Sequence, residues 1–305
     1  MKKFQLWPWL ALAGGCGAFL LRWAQLRLGF EADTGLPVPG DPWGVVLPLL
    51  LAALAILFLA LSRGAPAGVT AEASLGRAFP VEKSLLPLLG GLLWLVSGAF
   101  QMMDAGSPEP VESFDSAFAA SLSRGAMIAG ILTVLSAVCL FCTLSPSPRE
   151  GRRAEPNAVP LLGAAAALVV RLVLRYRALS MDPSLQAYYL PLVALTVLCL
   201  GLYFAAAFAF SAGRSRRFLA VAAWGTVLCL GAAADGDLSS KLFYLGGALW
   251  LCELLRLHAK SLSAKTEGPR PPADPRRGLS FPPGKNFFGF FRRQGLTFRQ
   301  SVLLY

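Results

Sequence analysis

The feature that most constrains this chain is the recurrence of uninterrupted apolar runs of membrane-crossing length. A helix of about 20 apolar residues crosses the hydrocarbon core of a bilayer, which is about 30 Å thick. Inside lipid the backbone can satisfy its hydrogen bonds only in helices or a closed barrel, and these runs do not alternate with polar residues as barrel strands do. Charged residues make up only 15% of the chain, whereas ordinary soluble domains contain about 25%. The sequence therefore predicts an all-α, polytopic membrane bundle.

Eight runs qualify as transmembrane helices. The spans are predicted at 4–21, 43–61, 84–102, 125–144, 158–174, 188–210, 218–234 and 242–257. Basic residues concentrate in every second loop: Lys2 precedes the first span, Arg63 follows the second, Arg152 the fourth and Arg214 the sixth. Lys and Arg favour the cytoplasmic side of a membrane. We therefore expect a bacterial-type plasma membrane protein with both the N-terminus and the C-terminus in the cytoplasm.

The N-terminus has an alternative interpretation as a cleaved signal. Lys2 and Lys3 precede an apolar stretch, and Cys16 resembles the cysteine of a lipoprotein cleavage box. Ala13 stands where such a box prefers Leu, and the apolar run continues to Leu21. We expect a retained first span.

The first four spans and the last four have proline and charged residues at equivalent positions, which favours a parallel tandem repeat of four plus four helices. The matched pairs are Pro8 with Pro160, Arg22 with Arg171, and Asp104 with Asp235. Two halves with an even number of spans share one orientation, as in parallel-repeat transporters. The predicted halves are 1–145 and 146–258. The alternative is that Pro and charged residues collect at span ends in any membrane protein.

A closer identity contradicts that repeat. Residues 89–95 read Leu-Gly-Gly-Leu-Leu-Trp-Leu, and residues 245–251 read Leu-Gly-Gly-Ala-Leu-Trp-Leu, but their spans run in opposite directions. Glycines on membrane helices allow two backbones to approach closely. The pattern therefore predicts a close contact between these two helices.

Two arginines inside the fifth span are the strongest candidates for a functional site. If that span begins at the inner face near Ala158, Arg171 lies about 20 Å up the helix, which is still inside the membrane. A charged side chain there calls for a partner or a functional role. Four-residue spacing puts Arg175 on the same face. We predict that Arg171 faces the bundle interior and reaches an outer-side acid, with Asp235 the first candidate and Asp104 the second.

These four residues are the predicted buried polar or ligand site, and two interpretations of it stay open. The guanidinium groups of Arg171 and Arg175 could bind an anionic ligand or lipid headgroup bidentately. They could instead extend along the helix toward the headgroups, or form structural ion pairs with outer-side acids, for which the candidates are Asp104, Asp182, Asp235 and Asp237.

The residue inventory gives little support for an enzyme. His258 is the only histidine, and no cluster of metal ligands surrounds it in the sequence. Ser97 lacks the preceding glycine of an intramembrane serine protease, and it lies in the opposite half of the membrane from His258. No Walker loop or dinucleotide fingerprint occurs. We therefore predict no catalytic residue, no cofactor and no metal site.

The tail at 259–305 differs in composition from the predicted spans. It is rich in proline and basic residues, so it cannot bury an apolar core, and its first part is expected to be disordered. The later segment 285–293 mixes phenylalanine with Lys and Arg, which suits an anionic lipid surface. A solvated tail without a partner is the alternative. The formal charge of +11 does not predict nucleic-acid binding, because the basic residues lie at span ends and in the tail.

The loop 29–42, Gly-Phe-Glu-Ala-Asp-Thr-Gly-Leu-Pro-Val-Pro-Gly-Asp-Pro, lies between two apolar spans. Loop and span pattern together resemble multi-span bacterial integral membrane proteins that have no assigned activity. The resemblance implies a membrane fold and no functional residue. As a function we expect binding or transport of a small or lipidic anion at the arginine-containing outer site. The alternative is a non-catalytic membrane scaffold or a partner subunit of another membrane complex.

Overall fold

Helices account for nearly all of the chain that the structure describes. This computed structural model describes residues 2–31, 36–38, 40–65, 75–79, 85–106, 116–144, 158–179, 185–210 and 212–267. The helices are α1 (Trp7–Leu28), α2 (Trp43–Ser62), α3 (Leu75–Ala78), α4 (Leu85–Gly106), α5 (Ser116–Leu144), α6 (Ala158–Leu179), α7 (Leu185–Ala207), α8 (Ser215–Ala232) and α9 (Leu238–Glu267). Short 3₁₀ turns at Lys2–Leu6 and Phe208–Phe210 extend α1 and α7. The predicted all-α bundle is confirmed.

A helix lies over each of the eight predicted spans, and seven of these helices are long and apolar enough to cross a membrane. Large apolar side chains cover the outside of the bundle. On α2, for example, Leu49 is 64% exposed, Ile56 67% and Leu59 60%. Apolar surface of this extent requires an apolar solvent, so the protein is a multi-pass membrane protein whose helices contact lipid.

The remaining helix, α8, is short and begins with Arg216 and Arg217. Most of its residues are buried against neighbouring helices rather than exposed to lipid. It runs parallel to α1, since Gly14 lies against Val227 and Gly231 lies against Ala18 farther along both helices. Protein therefore surrounds α8, which explains why it does not need the hydropathy of a lipid-facing span.

Helices α4 to α9 form a ring in chain order, because each packs against the next and α9 packs back against α4. Helices α1 and α2 pack on the outside of α8. The described residues up to Glu267 form one compact unit, with contacts between α5 and α6 across the boundary of the predicted halves. Within the described ranges, α1 contacts α2 and α4 contacts α5, as do their counterparts α6 with α7 and α8 with α9. In contrast, α7 packs extensively on α8, whereas their counterparts α2 and α4 make little or no contact.

The crossing of α4 and α9 confirms the predicted close contact. Gly90 and Gly246 face each other there, and a Cβ on Gly246 would lie only 2.8 Å from the Gly90 carbonyl oxygen. Trp94 packs over Gly246, while Trp250 packs over Gly90. The Trp94 Nε1 donates a hydrogen bond of 2.8 Å to the Phe243 carbonyl. The repeated motif is therefore the two sides of one antiparallel helix contact.

Of the helices that continue beyond their predicted ends, α1 and α9 extend furthest. Helix α1 extends past the predicted limit at residue 21 to Leu28, and α9 extends past residue 257 to Glu267. In α1 the polar residues Arg22 and Gln25 are almost fully buried. A prediction from hydropathy ends a span where charged residues begin. The Arg22 and Gln25 side chains have partners inside the bundle, so the helix continues past them. The predicted tail lies outside the described residues from Gly268 onward.

Candidate functional site

Polar side chains collect at the end of the bundle where α1 ends and α8 turns into α9. Three arginines and two aspartates meet there: Arg22 from α1, Arg171 and Arg175 from α6, and Asp235 and Asp237 from the turn between α8 and α9. We call these five residues the arginine cluster. The turn is sharp because Gly236 adopts a positive φ of 72°, which brings both aspartates back toward the helix ends.

Arg22 and Asp235 form a buried ion pair. The Arg22 Nε lies 2.6 Å from Asp235 Oδ1, and the arginine side chain is completely buried. Arg22 Nη1 also donates to the Gln25 side chain at 2.8 Å, one turn farther along α1. Among the described residues, Asp235 Oδ2 and the nearby Tyr189 hydroxyl are buried without a hydrogen-bond partner. The pair joins α1 to the α8–α9 turn and leaves two polar atoms that water or a ligand could satisfy.

Arg171 lies in the interior of the ring and is 5% exposed. Its Nη1 donates to the Gln101 side-chain oxygen at 2.7 Å, to the Thr133 hydroxyl and to the Ala129 carbonyl at 3.3 Å. The guanidinium also lies 3.9 Å from the centroid of the Phe243 ring, a cation–π distance. One side chain from α6 thus contacts α4, α5 and α9.

The hydrogen bonds of Arg171 leave part of its guanidinium unused. Within the described chain all of them involve Nη1, and no carboxylate lies within ion-pair distance. Nε and Nη2 form the flat edge with which arginine binds carboxylate or phosphate through two parallel hydrogen bonds. Arg171 therefore combines a buried positive charge with a donor edge suited to an anion.

Arg175 and Asp237 form the rim of the cluster. Arg175 is half-buried, and its Nη2 lies 3.5 Å from the Ser240 hydroxyl, a long hydrogen bond. Partial burial raises the pKa of the Asp237 carboxyl, but hydrogen bonds from Ser239 and Ser240 outweigh that effect and the net pKa is lowered. Asp237 is therefore ionised at neutral pH.

The structure brings together three of the four predicted site residues. Arg171, Arg175 and Asp235 lie in one cluster, whereas Asp104 is exposed on the last turn of α4. Arg171 faces the bundle interior, as predicted. Its predicted pairing with Asp235 or Asp104 is wrong, because Gln101 and Thr133 accept its hydrogen bonds and Asp235 pairs with Arg22.

Sequence reasoning missed Arg22 and the neutral partners of Arg171. The sequence did contain a signal for Arg22 and Gln25. If the first helix continues past residue 21, these two polar residues, three positions apart, share one helix face. Gln101 and Thr133 had none, since single amide and hydroxyl groups are common in membrane helices.

The only histidine lies at the other end of the bundle. His258 is 2% exposed, and its ring packs among Phe79, Phe208 and Phe218 with centroid distances of 5.6, 4.9 and 5.3 Å. Its Nδ1 lies 3.3 Å from the Ala78 carbonyl. In the part of the chain that is described, no three His, Cys, Asp or Glu residues group as metal ligands. His258 therefore anchors α3 to α9.

No protein-family model matches the chain, and no curated protein or solved structure matches it either. The geometry of the arginine cluster is therefore the basis for a functional proposal.

Proposed function

We propose that this protein binds a small or lipidic anion at the arginine cluster, as the binding step of a transporter or of a membrane anion-binding protein. The observation that carries the proposal is Arg171: it is buried at 5% exposure, has no carboxylate partner among the described residues, and leaves Nε and Nη2 without acceptors. A charge at such a depth is costly unless it is paired or hydrated. An anion at the free edge of the guanidinium would supply the missing partner.

The charge of the whole cluster supports an anion rather than a cation. Three arginines face two aspartates, and one of those aspartates is already paired with Arg22. The exposure of these residues also supports a path for an anion into the cluster. Arg175 is half-buried and Asp237 is exposed, whereas Arg171 behind them is buried. An anion would meet Arg175 first and then Arg171.

The experiment measures thermal unfolding of the purified protein in detergent with inorganic phosphate, sulfate, short-chain phosphatidylglycerol and short-chain phosphatidylcholine. A ligand of the native state stabilises it by RT ln(1 + [L]/Kd), which is about 2.7 kcal/mol at one hundred times Kd. We expect at least one anion to raise the melting temperature in a saturable manner, and phosphatidylcholine to have no comparable effect. Arg171→Gln should abolish a shift caused by phosphate or sulfate and reduce one caused by phosphatidylglycerol.

Two further variants keep the test decisive. Arg175→Gln removes a rim cation whose hydrogen bond to Ser240 is long, so the variant should fold and show a weaker anion shift. Arg27→Gln is the matched control, since Arg27 is exposed on α1 and its guanidinium lies 5.5 Å from the Trp23 ring. If no anion stabilises the wild type, or if Arg175→Gln and Arg171→Gln keep the full shift, the anion-binding proposal is wrong.

A non-catalytic scaffold or partner subunit is the second candidate function. It is favoured by the internal pairing of the cluster, because Arg22 is paired with Asp235 and Arg171 already joins three other helices. Under this function the arginines fix helix positions and need no ligand. The absence of any anion effect on the wild type would favour it.

The orientation is also a proposal. We infer that Arg63 and Arg216 lie on the cytoplasmic side and the arginine cluster on the outer side, since basic loop residues favour the cytoplasm. The start of α1 and the end of α9 would then lie on the cytoplasmic side, in agreement with the expectation of cytoplasmic termini. The basic segment 285–293 would lie close to the inner leaflet, where anionic lipids attract it.

A further inference from the structure

A groove at the opposite end of α8 from the arginine cluster combines three arginines with an apolar wall. It lies between the end of α2, the end of α7 and the start of α8, and it has a volume of about 530 Å³. Its lining includes Arg63, Arg216, Arg217, Leu59, Phe204 and Val221. We call it the arginine groove.

Among the residues that the structure describes, no acidic side chain lines this groove and none of its three arginines forms an ion pair. Arg216 Nη2 donates to the Arg63 carbonyl at 2.8 Å, which joins the end of α2 to the start of α8. The Arg216 Nε is buried without an acceptor. Three cations held together without a carboxylate repel one another, so an anion in the groove would be stabilised by all three.

The polar and apolar residues of the groove are ordered along the helices. On α2, Leu59 precedes Arg63 by four residues, and on α8, Val221 follows Arg217 by four residues. Four residues of helix rise about 6 Å. On both helices the arginines therefore lie at the bundle end, with the apolar side chains one turn farther toward the membrane interior.

This order matches the layout of a phospholipid, with an anionic phosphate at the interface and acyl chains in the hydrocarbon core. Leu59 is 60% exposed, so the apolar wall is open to lipid. Guanidinium groups bind phosphate oxygens bidentately. Basic pockets between transmembrane helices are known to hold anionic headgroups. A soluble phosphate would use the arginines but not the apolar wall.

We propose that the arginine groove is a binding site for one anionic phospholipid, whose phosphate lies among Arg63, Arg216 and Arg217 and whose acyl chain lies along Leu59, Phe204 and Val221. The site is distinct from the arginine cluster, because the two lie at opposite ends of α8. Either proposal can therefore fail without the other.

The test uses the full chain in detergent micelles and measures bound lipid by native mass spectrometry and stability by thermal unfolding. The probes are phosphatidylglycerol, phosphatidylcholine with the same acyl chains, and inorganic phosphate. These measurements use the Arg171→Gln variant, which lacks the proposed site at the arginine cluster, beside the wild type. In that variant we expect one bound phosphatidylglycerol per protein and a matching rise in melting temperature. Phosphatidylcholine should bind it far more weakly, and inorganic phosphate should leave its melting temperature unchanged.

The variants are Arg63→Gln/Arg217→Gln, with Arg171→Gln and Arg27→Gln as controls outside the groove. Arg216 is kept, since its hydrogen bond to the Arg63 carbonyl holds two helix ends together. Each basic residue near an anionic lipid surface contributes about a factor of five, so the double variant should bind phosphatidylglycerol about 30-fold more weakly. Both controls should bind it at this site as the wild type does.

A further variant separates the groove from general surface charge. Arg217→Lys keeps the charge but not the flat guanidinium edge, so we expect its affinity to fall between wild type and the double variant. The proposal is overturned if phosphatidylcholine binds as tightly, if inorganic phosphate gives the full stabilisation of the Arg171→Gln variant, or if the double variant retains the lipid bound in the groove.

Discussion

Substitution of Gly246 by alanine gives a sharp test of the α4–α9 contact. The new Cβ would lie 2.8 Å from the Gly90 carbonyl oxygen and 2.5 Å from Trp94 Cδ1. One of these neighbours is backbone, so a side-chain rotation alone cannot relieve the overlap. The two helices must separate, and the Trp94 hydrogen bond to the Phe243 carbonyl must lengthen.

The expected magnitude follows from two opposing effects. Overpacking a close contact costs about 1 to 3 kcal/mol. Replacing a helical glycine by alanine gains about 1 kcal/mol in helix propensity. The net expectation for Gly246→Ala is a loss of about 0 to 2 kcal/mol of unfolding free energy, and the overlap with backbone favours the upper part of that range.

Gly17→Ala is the matched control, because a Cβ at Gly17 of α1 would meet no atom within 4 Å. It should therefore stabilise the protein by up to about 1 kcal/mol. Reversible unfolding in mixed detergent micelles would measure both variants. The reasoning fails if Gly246→Ala is as stable as the wild type or more stable while Gly17→Ala behaves as expected.

Three other predictions concern the ion pair, the tail and the orientation. Arg22→Met and Asp235→Asn should each lower the unfolding free energy by about 3 to 5 kcal/mol, because each leaves one buried charge without its partner. The double variant should lose clearly less than the sum of the two losses. Additive losses in unfolding experiments would argue against coupling between the two residues. Truncation after Glu267 should leave the melting temperature in detergent nearly unchanged, since the tail offers no apolar face to bury; a large drop would show that it stabilises the bundle. Reporter fusions should place Gly68 and the C-terminus in the cytoplasm and Ser113 outside; an external C-terminus would exclude the proposed orientation.

The sequence predicted the positions of the helices along the chain better than it predicted which helices contact one another. Each of the eight predicted spans corresponds to a helix, and seven of these helices have membrane-crossing length and hydropathy, because the length and hydropathy of a run are local properties. The Gly-Gly motifs at 90–91 and 246–247 also predicted one contact correctly, since glycine allows a close approach wherever two such helices meet. The parallel tandem repeat stays a prediction: the helix contacts match it for two of the three consecutive helix pairs, and proline and charged residues at span ends do not determine which helices are adjacent.

The contacts between buried polar side chains could not be predicted from the local sequence alone. The distance along a helix fixes the depth of a residue in the membrane, so the sequence alone placed Arg171 and Asp235 near the same end of the bundle. It could not fix the rotation of each helix or the order of helices around the bundle, which depend on packing between residues far apart in the chain. Arg22 reaches Asp235 across 213 positions, and Arg171 reaches Gln101 across 70. The sequence determined that charges are buried, and only the tertiary structure decided that Asp235 neutralises Arg22 and leaves Arg171 with neutral partners.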